Sequence, residues 1–186
     1  MDARIKKTKE AVSRALLDLL RKKYLSQITV SELCKAAGVN RNTFYAHYHT
    51  PVEVVEDVTA ALLDDLDALA NAYRQSQDVC VAICRYIYER RDVFAVLASA
   101  NVEERYVKIA LSRARRSAAS GEARPSGTTV FDKYYDEFFI GGCYFVLKAW
   151  IDDGAKESPE EIGAALHSLF VKSKEAQRGV RPHDAP

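Results

Sequence analysis

The chain has 186 residues, 48% of them hydrophobic and 28% charged, which suits one or two small domains with a buried core and excludes fibrous, disordered and disulfide-scaffold classes. A net charge of +1 hides an asymmetry: residues 1–50 carry 10 Lys and Arg against 4 Asp and Glu, or +6, while the remainder carries 17 against 22, or −5. That is the pattern of a basic head, suited to a polyanion, on an acidic body, and with only 8 glycines, 5 prolines and apolar residues recurring at intervals of three and four, the fold expected is all-α.

In chain order, Ile5, Val12, Ala15, Leu16, Leu19 and Leu20 mark a first helix approached by Lys6, Lys7 and Lys9. Thr29 followed by Glu32 reads as a capping box that starts a short second helix, with Leu33, Cys34 and Ala37 on its buried face and Gly38 at its end. Asn40 caps a third helix expected over 41–48, so the head is a three-helix unit containing a helix-turn-helix. Thr50, Pro51 and Glu53 open a long fourth helix. Amphipathic stretches follow at 79–88, 92–98 and 102–116, then a breaker-rich loop at 118–128. An aromatic-dense helix over 130–151 and a last one opened by the Ser158–Glu161 box complete a helical-bundle body. The expected organisation is a basic three-helix head at 1–50, a helical body at 51–175 and a flexible tail at 176–186.

The basic N-terminus lacks the apolar core of a signal peptide, and no apolar run nears the ~20 residues of a membrane span, so a cytoplasmic protein with no membrane partner is expected. Cys34, Cys80, Cys84 and Cys143 sit in apolar helical stretches and read as small buried hydrophobes; Cys80 and Cys84 are one turn apart, but no matching pair completes a metal site. No Ser/His/Asp or Cys/His set and no Gly-rich phosphate loop stands out, so neither catalytic residues nor a cofactor are expected; His167 reads as a core or interface histidine. Arg113, Arg115 and Arg116 form a basic cluster that reads as a solvated helix end.

Within the third helix, Phe44 and Tyr48 turn toward the core with Val39, while Arg41, Asn42, Tyr45 and His47 face away. Arg and Asn can bond bidentately to guanine and adenine, and Tyr and Thr hydroxyls suit phosphate oxygens, so this face fits a major groove. Thr29, at a helix N-terminus, presents backbone N–H groups to a phosphate.

The run from Ile28 to Tyr48, with its Thr29-Val30 opening, Ala37-Gly38-Val39 turn and Thr43-Phe44-Tyr45 centre, closely resembles the DNA-binding signature of the TetR/AcrR family of bacterial transcriptional regulators. The stretches Tyr134 to Gly142, Trp150 to Gly154 and Ser158 to Ile162 look like the C-terminal domain common among members from Firmicutes and related bacteria. This resemblance implies an all-helical homodimer that binds a double-stranded DNA operator, with 1–50 as its DNA-binding domain and 51–175 as its effector-binding and dimerisation domain. It places Asn40, Arg41, Asn42 and Tyr45 at base-facing positions, and Thr29, Thr43, His47 and Tyr48 at phosphate-facing or supporting ones. One departure is Pro51, where the family commonly has a Lys; Lys6, Lys7, Lys9 or His49 would then supply the charge.

The last two helices are expected to pair with their symmetry mates through Gly141, Gly142, Ile162, Leu166, Leu169 and Phe170. Tyr86, Phe94, Tyr106, Tyr134 and Phe138 are the candidates for the lining of a small-molecule effector pocket. The function expected is a repressor on a palindromic operator, released by an effector; the alternative is a coactivator or adaptor acting through protein contacts.

Overall fold

The structure is a computed structural model that describes residues 3–73, 76, 78–99, 101–102, 112–113 and 130–179. Among them are eight α-helices and no strand: α1 (Ala3–Leu20), α2 (Val30–Ala37), α3 (Arg41–Tyr45), α4 (Pro51–Ala72), α5 (Val79–Glu89), α6 (Arg91–Leu97), α7 (Val130–Asp152) and α8 (Pro159–Gly179). No helix among the described residues is long and apolar enough to cross a membrane.

Packing divides the chain into two units, 1–64 with 92–109 and 65–91 with 110–186. The division differs from the boundary expected after residue 50: it falls inside α4, and α6 belongs with the head. In the first unit the apolar stripe of α1 (Val12, Ala15, Leu16, Leu20) meets Leu33 and Cys34 of α2, Phe44 of α3, Val54 and Val55 of α4, and Val96 and Val102. A helix-turn-helix of some fifty residues has little interior of its own, and the two valines beyond residue 90 enlarge it. Asn101 fastens this addition: its Nδ2 donates to the carbonyl of Leu20 at 2.8 Å, an orphan acceptor at the end of α1, while its own carbonyl accepts from the Leu25 amide at 3.0 Å.

In the second unit α5 lies against α8, and Tyr88 of α5 stacks on Trp150 of α7 with ring centroids 5.9 Å apart. Arg85 pairs with Glu160 at 2.6 Å, Tyr86 donates to Asp65 at 2.7 Å, and Arg113, expected to be solvated, binds Asp67 at 2.7 Å. Arg115, Arg116 and the stretch at 118–128 lie outside the described residues, as does most of 102–116. Cys84 is buried and Cys80 and Cys143 are half-buried; burial pushes the Cys84 thiol up to about 12 and that of Cys143 to about 11. Among the described residues no group of His, Cys, Asp and Glu could hold a metal ion. The last helix runs to Gly179, past residue 176 where the tail was expected to begin.

Candidate nucleic-acid interface

The turn between α2 and α3 is built from its caps. Thr29 accepts the amide of Glu32 at 3.2 Å, and Gly38 ends α2 in the left-handed region at φ +65°, which a side chain would disfavour. Asn40 then starts α3 by accepting the amide of Asn42 at 2.8 Å. The α3 hydrogen-bond ladder tightens after five residues: the His47 amide donates to Phe44 three residues back, so the helix expected to reach residue 48 closes at Tyr45. Phe44 is fully buried and anchors α3, packing against Tyr45 and Tyr48.

This leaves Arg41, Asn42, Thr43 and Tyr45 exposed on the outer side, Tyr45 with half of its surface accessible. Asn40 is exposed too, but its Oδ1 accepts the cap bond, which ties the side chain to the start of α3. His47 is half-buried and lines a shallow groove with Asn42, Thr43 and Ala46 from the α3 side and Arg4, Ile5 and Thr8 from α1. Sequence reasoning missed Arg4 and Thr8; their spacing of one turn at the basic start of α1 was the available signal.

Tyr48 faces inward. Its ring is buried and its hydroxyl donates to Asp57 of α4 at 2.6 Å, so it supports α3 and presents no hydroxyl to the outside. The same carboxylate takes the Lys9 ammonium at 3.1 Å. Burial and the hydrogen bond to Asp57 raise the Tyr48 phenol; at Asp57 burial works the other way, yet the bonds from Tyr48 and Lys9 outweigh it and hold the carboxyl below its ordinary value. At the start of α4, Glu53 accepts the His49 amide at 2.8 Å and faces the His49 ring at 3.2 Å, while its own amide donates to Thr50. Of the four residues expected to replace the missing lysine, Lys9 and His49 are thus already engaged with carboxylates. Lys6 and Lys7 are exposed on α1, Lys6 only 4.0 Å from Glu10.

The body presents a different surface. On α7, Tyr134, Phe138, Gly142, Phe145 and Ala149 recur at three and four and are all exposed, Phe138 at 76% and Phe145 at 67%; Leu169 of α8 is exposed at 54%. Phe138 and Tyr134, expected in an effector pocket, therefore belong to an outer apolar strip. Tyr86 is buried, Phe94 is half-buried in the first unit, and Tyr106 lies outside the described residues. Among the expected pairing residues, Leu166 is only 5% exposed and Phe170 packs on Phe139 at 5.1 Å, so both serve the chain's own interior; Gly141 and Ile162 are half-buried, and outside their own stretch of helix no atom of the described residues stands within 4 Å of where a β-carbon on Gly141 or Gly142 would sit.

Compared with known families, residues 74–172, more than half of the chain, match the TetR-type family described as a transcriptional regulator C-terminal region. The chain belongs to the TetR/AcrR family of transcriptional regulators. The HTH-type transcriptional regulator YxbF of Bacillus subtilis is 22% identical over 172 residues, covering 88% of this chain and 44% of its own length. The chain thus spans under half the length of that curated relative. Among solved structures, a TetR transcriptional regulator from Streptococcus agalactiae superposes with a TM-score of 0.66 at 21% identity, covering 90% of this chain and 96% of that one. The dihydroxyacetone kinase operon activator DhaS gives a TM-score of 0.60 at 17% identity over 91% and 97%.

The geometry of the helix-turn-helix sorts the residues expected at the interface. Arg41, Asn42, Thr43 and Tyr45 are presented; Thr29 and Asn40 are caps; His47 edges a groove; Tyr48 is an internal strut.

Proposed function

We propose that the chain binds a palindromic operator as a homodimer and acts as a repressor released by a small-molecule effector in the cytoplasm. The observation that carries the DNA reading is the exposed side of α3, where Arg41, Asn42, Thr43 and Tyr45 stand outward while Phe44 fixes the helix from beneath. Arg41 and Asn42 are suited to base edges; Thr43, Tyr45 and the exposed Lys6 and Lys7 are suited to phosphates. The exposed Phe138 and Phe145 of α7 and Leu169 of α8 support the homodimer, because exposed apolar side chains gain by being covered across a two-fold axis. Two copies would offer two recognition helices to successive major-groove faces, ~34 Å apart, and an effector that favours another spacing would release the DNA.

Electrophoretic shift with duplexes from the gene's own upstream region tests this reading. A discrete complex that resists competitor DNA is expected. Arg41→Ala and Asn42→Ala should relax sequence preference at individual positions, each by about 1–3 kcal/mol, while Lys7→Ala should weaken all duplexes alike and flatten the salt dependence. Binding indifferent to sequence would refute it.

A second reading, a coactivator or adaptor working through protein contacts, is favoured by the similarity to DhaS, which is named an operon activator. A stoichiometric protein partner together with no sequence-specific shift would select it.

A further inference from the structure

Helix α3 has only five residues, anchored by the buried Phe44 ring, and a second attachment lies where the chain leaves the helix. There the Tyr48 hydroxyl donates to Asp57 Oδ2 of α4 at 2.6 Å, and Lys9 of α1 donates to the same oxygen at 3.1 Å and lies 5.2 Å from the Tyr48 ring centre. We infer that Asp57 is a positioning residue for DNA reading: one carboxylate oxygen on α4 gathers α1 and the end of α3 and thereby aims Arg41 and Asn42 at base edges.

Asp57 touches no DNA in this scheme. Its effect falls on discrimination between sequences, since phosphate contacts tolerate a small change of helix angle better than bidentate base contacts do. This inference rests on the DNA-binding reading above.

The test uses the full chain and the duplex that the wild type enriches from a random-sequence pool, measured against an unrelated duplex at two salt concentrations. Tyr48→Phe keeps the ring and Asp57→Asn keeps the side-chain shape, and thermal melting confirms that each variant folds. Each is expected to cut the ratio of specific to non-specific affinity about tenfold, as loss of a charge-assisted hydrogen bond would, with the salt slope unchanged in Tyr48→Phe, which leaves Lys9 on Asp57. The double variant should be no worse than either single one.

Three results would overturn the assignment: an unchanged ratio in Asp57→Asn, tighter binding to both duplexes in that variant, as expected if the carboxylate merely repels phosphate, or losses that add in the double variant. If the wild type enriches no sequence, the DNA-binding reading itself falls and this inference with it, a failure visible before any variant is made.

Discussion

Gly163 of α8 faces the backbone of Val81 in α5 with no room for a side chain: a β-carbon there would lie 2.7 Å from Val81 Cα and 2.8 Å from its amide nitrogen. Backbone cannot swing aside as a flexible side chain can, so Gly163→Ala must force the two helices apart. A loss of about 1–3 kcal/mol is expected, seen as a lower midpoint in thermal or urea unfolding. An unchanged midpoint would show that α5 and α8 separate without cost.

Asn101→Ala removes the amide that satisfies the Leu20 carbonyl and leaves only the backbone half of the clasp, the bond from Leu25. The expected loss is about 1–2 kcal/mol, the cost of a partly buried acceptor left unpaired, read as a reduced denaturation midpoint at constant m-value. Asn101→Asp should be worse, because its carboxylate oxygen would oppose the carbonyl oxygen it replaces a donor for.

If the α7 strip and Leu169 of α8 form the homodimer surface, Phe138→Glu combined with Leu169→Glu should give a monomer. Both side chains are largely exposed within one chain, so the fold of the isolated chain should survive the change. Light scattering reads the mass directly, and a persistent dimer would move the interface off this strip.

Burial, reinforced by the hydrogen bond to Asp65, pushes the Tyr86 phenol up to about 12 from its ordinary value near 10. The folded state therefore holds this proton more tightly than the unfolded state. Its contribution to stability is complete below pH 10 and is lost as pH rises from about 10 to 12. The melting advantage of wild type over Tyr86→Phe should shrink across that window; an advantage independent of pH would contradict the assignment.

The thiols of Cys84 and Cys143, raised to about 12 and about 11, should react slowly with a thiol reagent at pH 8 in the native protein and fast once it is unfolded. For Cys143 the thiolate fraction alone lowers the rate about a hundredfold relative to a free cysteine. Fast labelling of native Cys143 would mean that this region opens.

The head was legible because its signals are local. Thr29, Gly38, Asn40 and Thr50 act through residues two to four positions away, and each forms a cap where the spacing said one would be. Three relationships were not legible because their partners lie beyond the two to four positions over which caps act. The Asn101 clasp joins residues 81 apart, Tyr48 reaches Asp57 from a helix that was expected to be longer, and Gly163 meets Val81. The two carboxylates of the expected capping boxes in the head also turned elsewhere: Glu32 goes to Lys23 at 2.5 Å, and Glu53 goes to His49 in place of Thr50. Only Ser158 and Glu161 bond reciprocally. Periodicity likewise marked the apolar side of α7 without saying which residues the chain itself would cover, so Phe138 was expected in a pocket and Leu166 on the outside.

The start of α4 carries a consequence for ionic conditions. Pro51 brings no cation, the Glu53 carboxylate already covers the His49 amide, and Lys9 is bound to Asp57, so few positive groups are left there to displace counterions from DNA. Each phosphate contact forgone takes about 0.9 from the slope of log affinity against log salt. On the DNA-binding reading proposed above, the chain would depend less on ionic strength than one with a lysine at position 51, holding on through base contacts more than through charge.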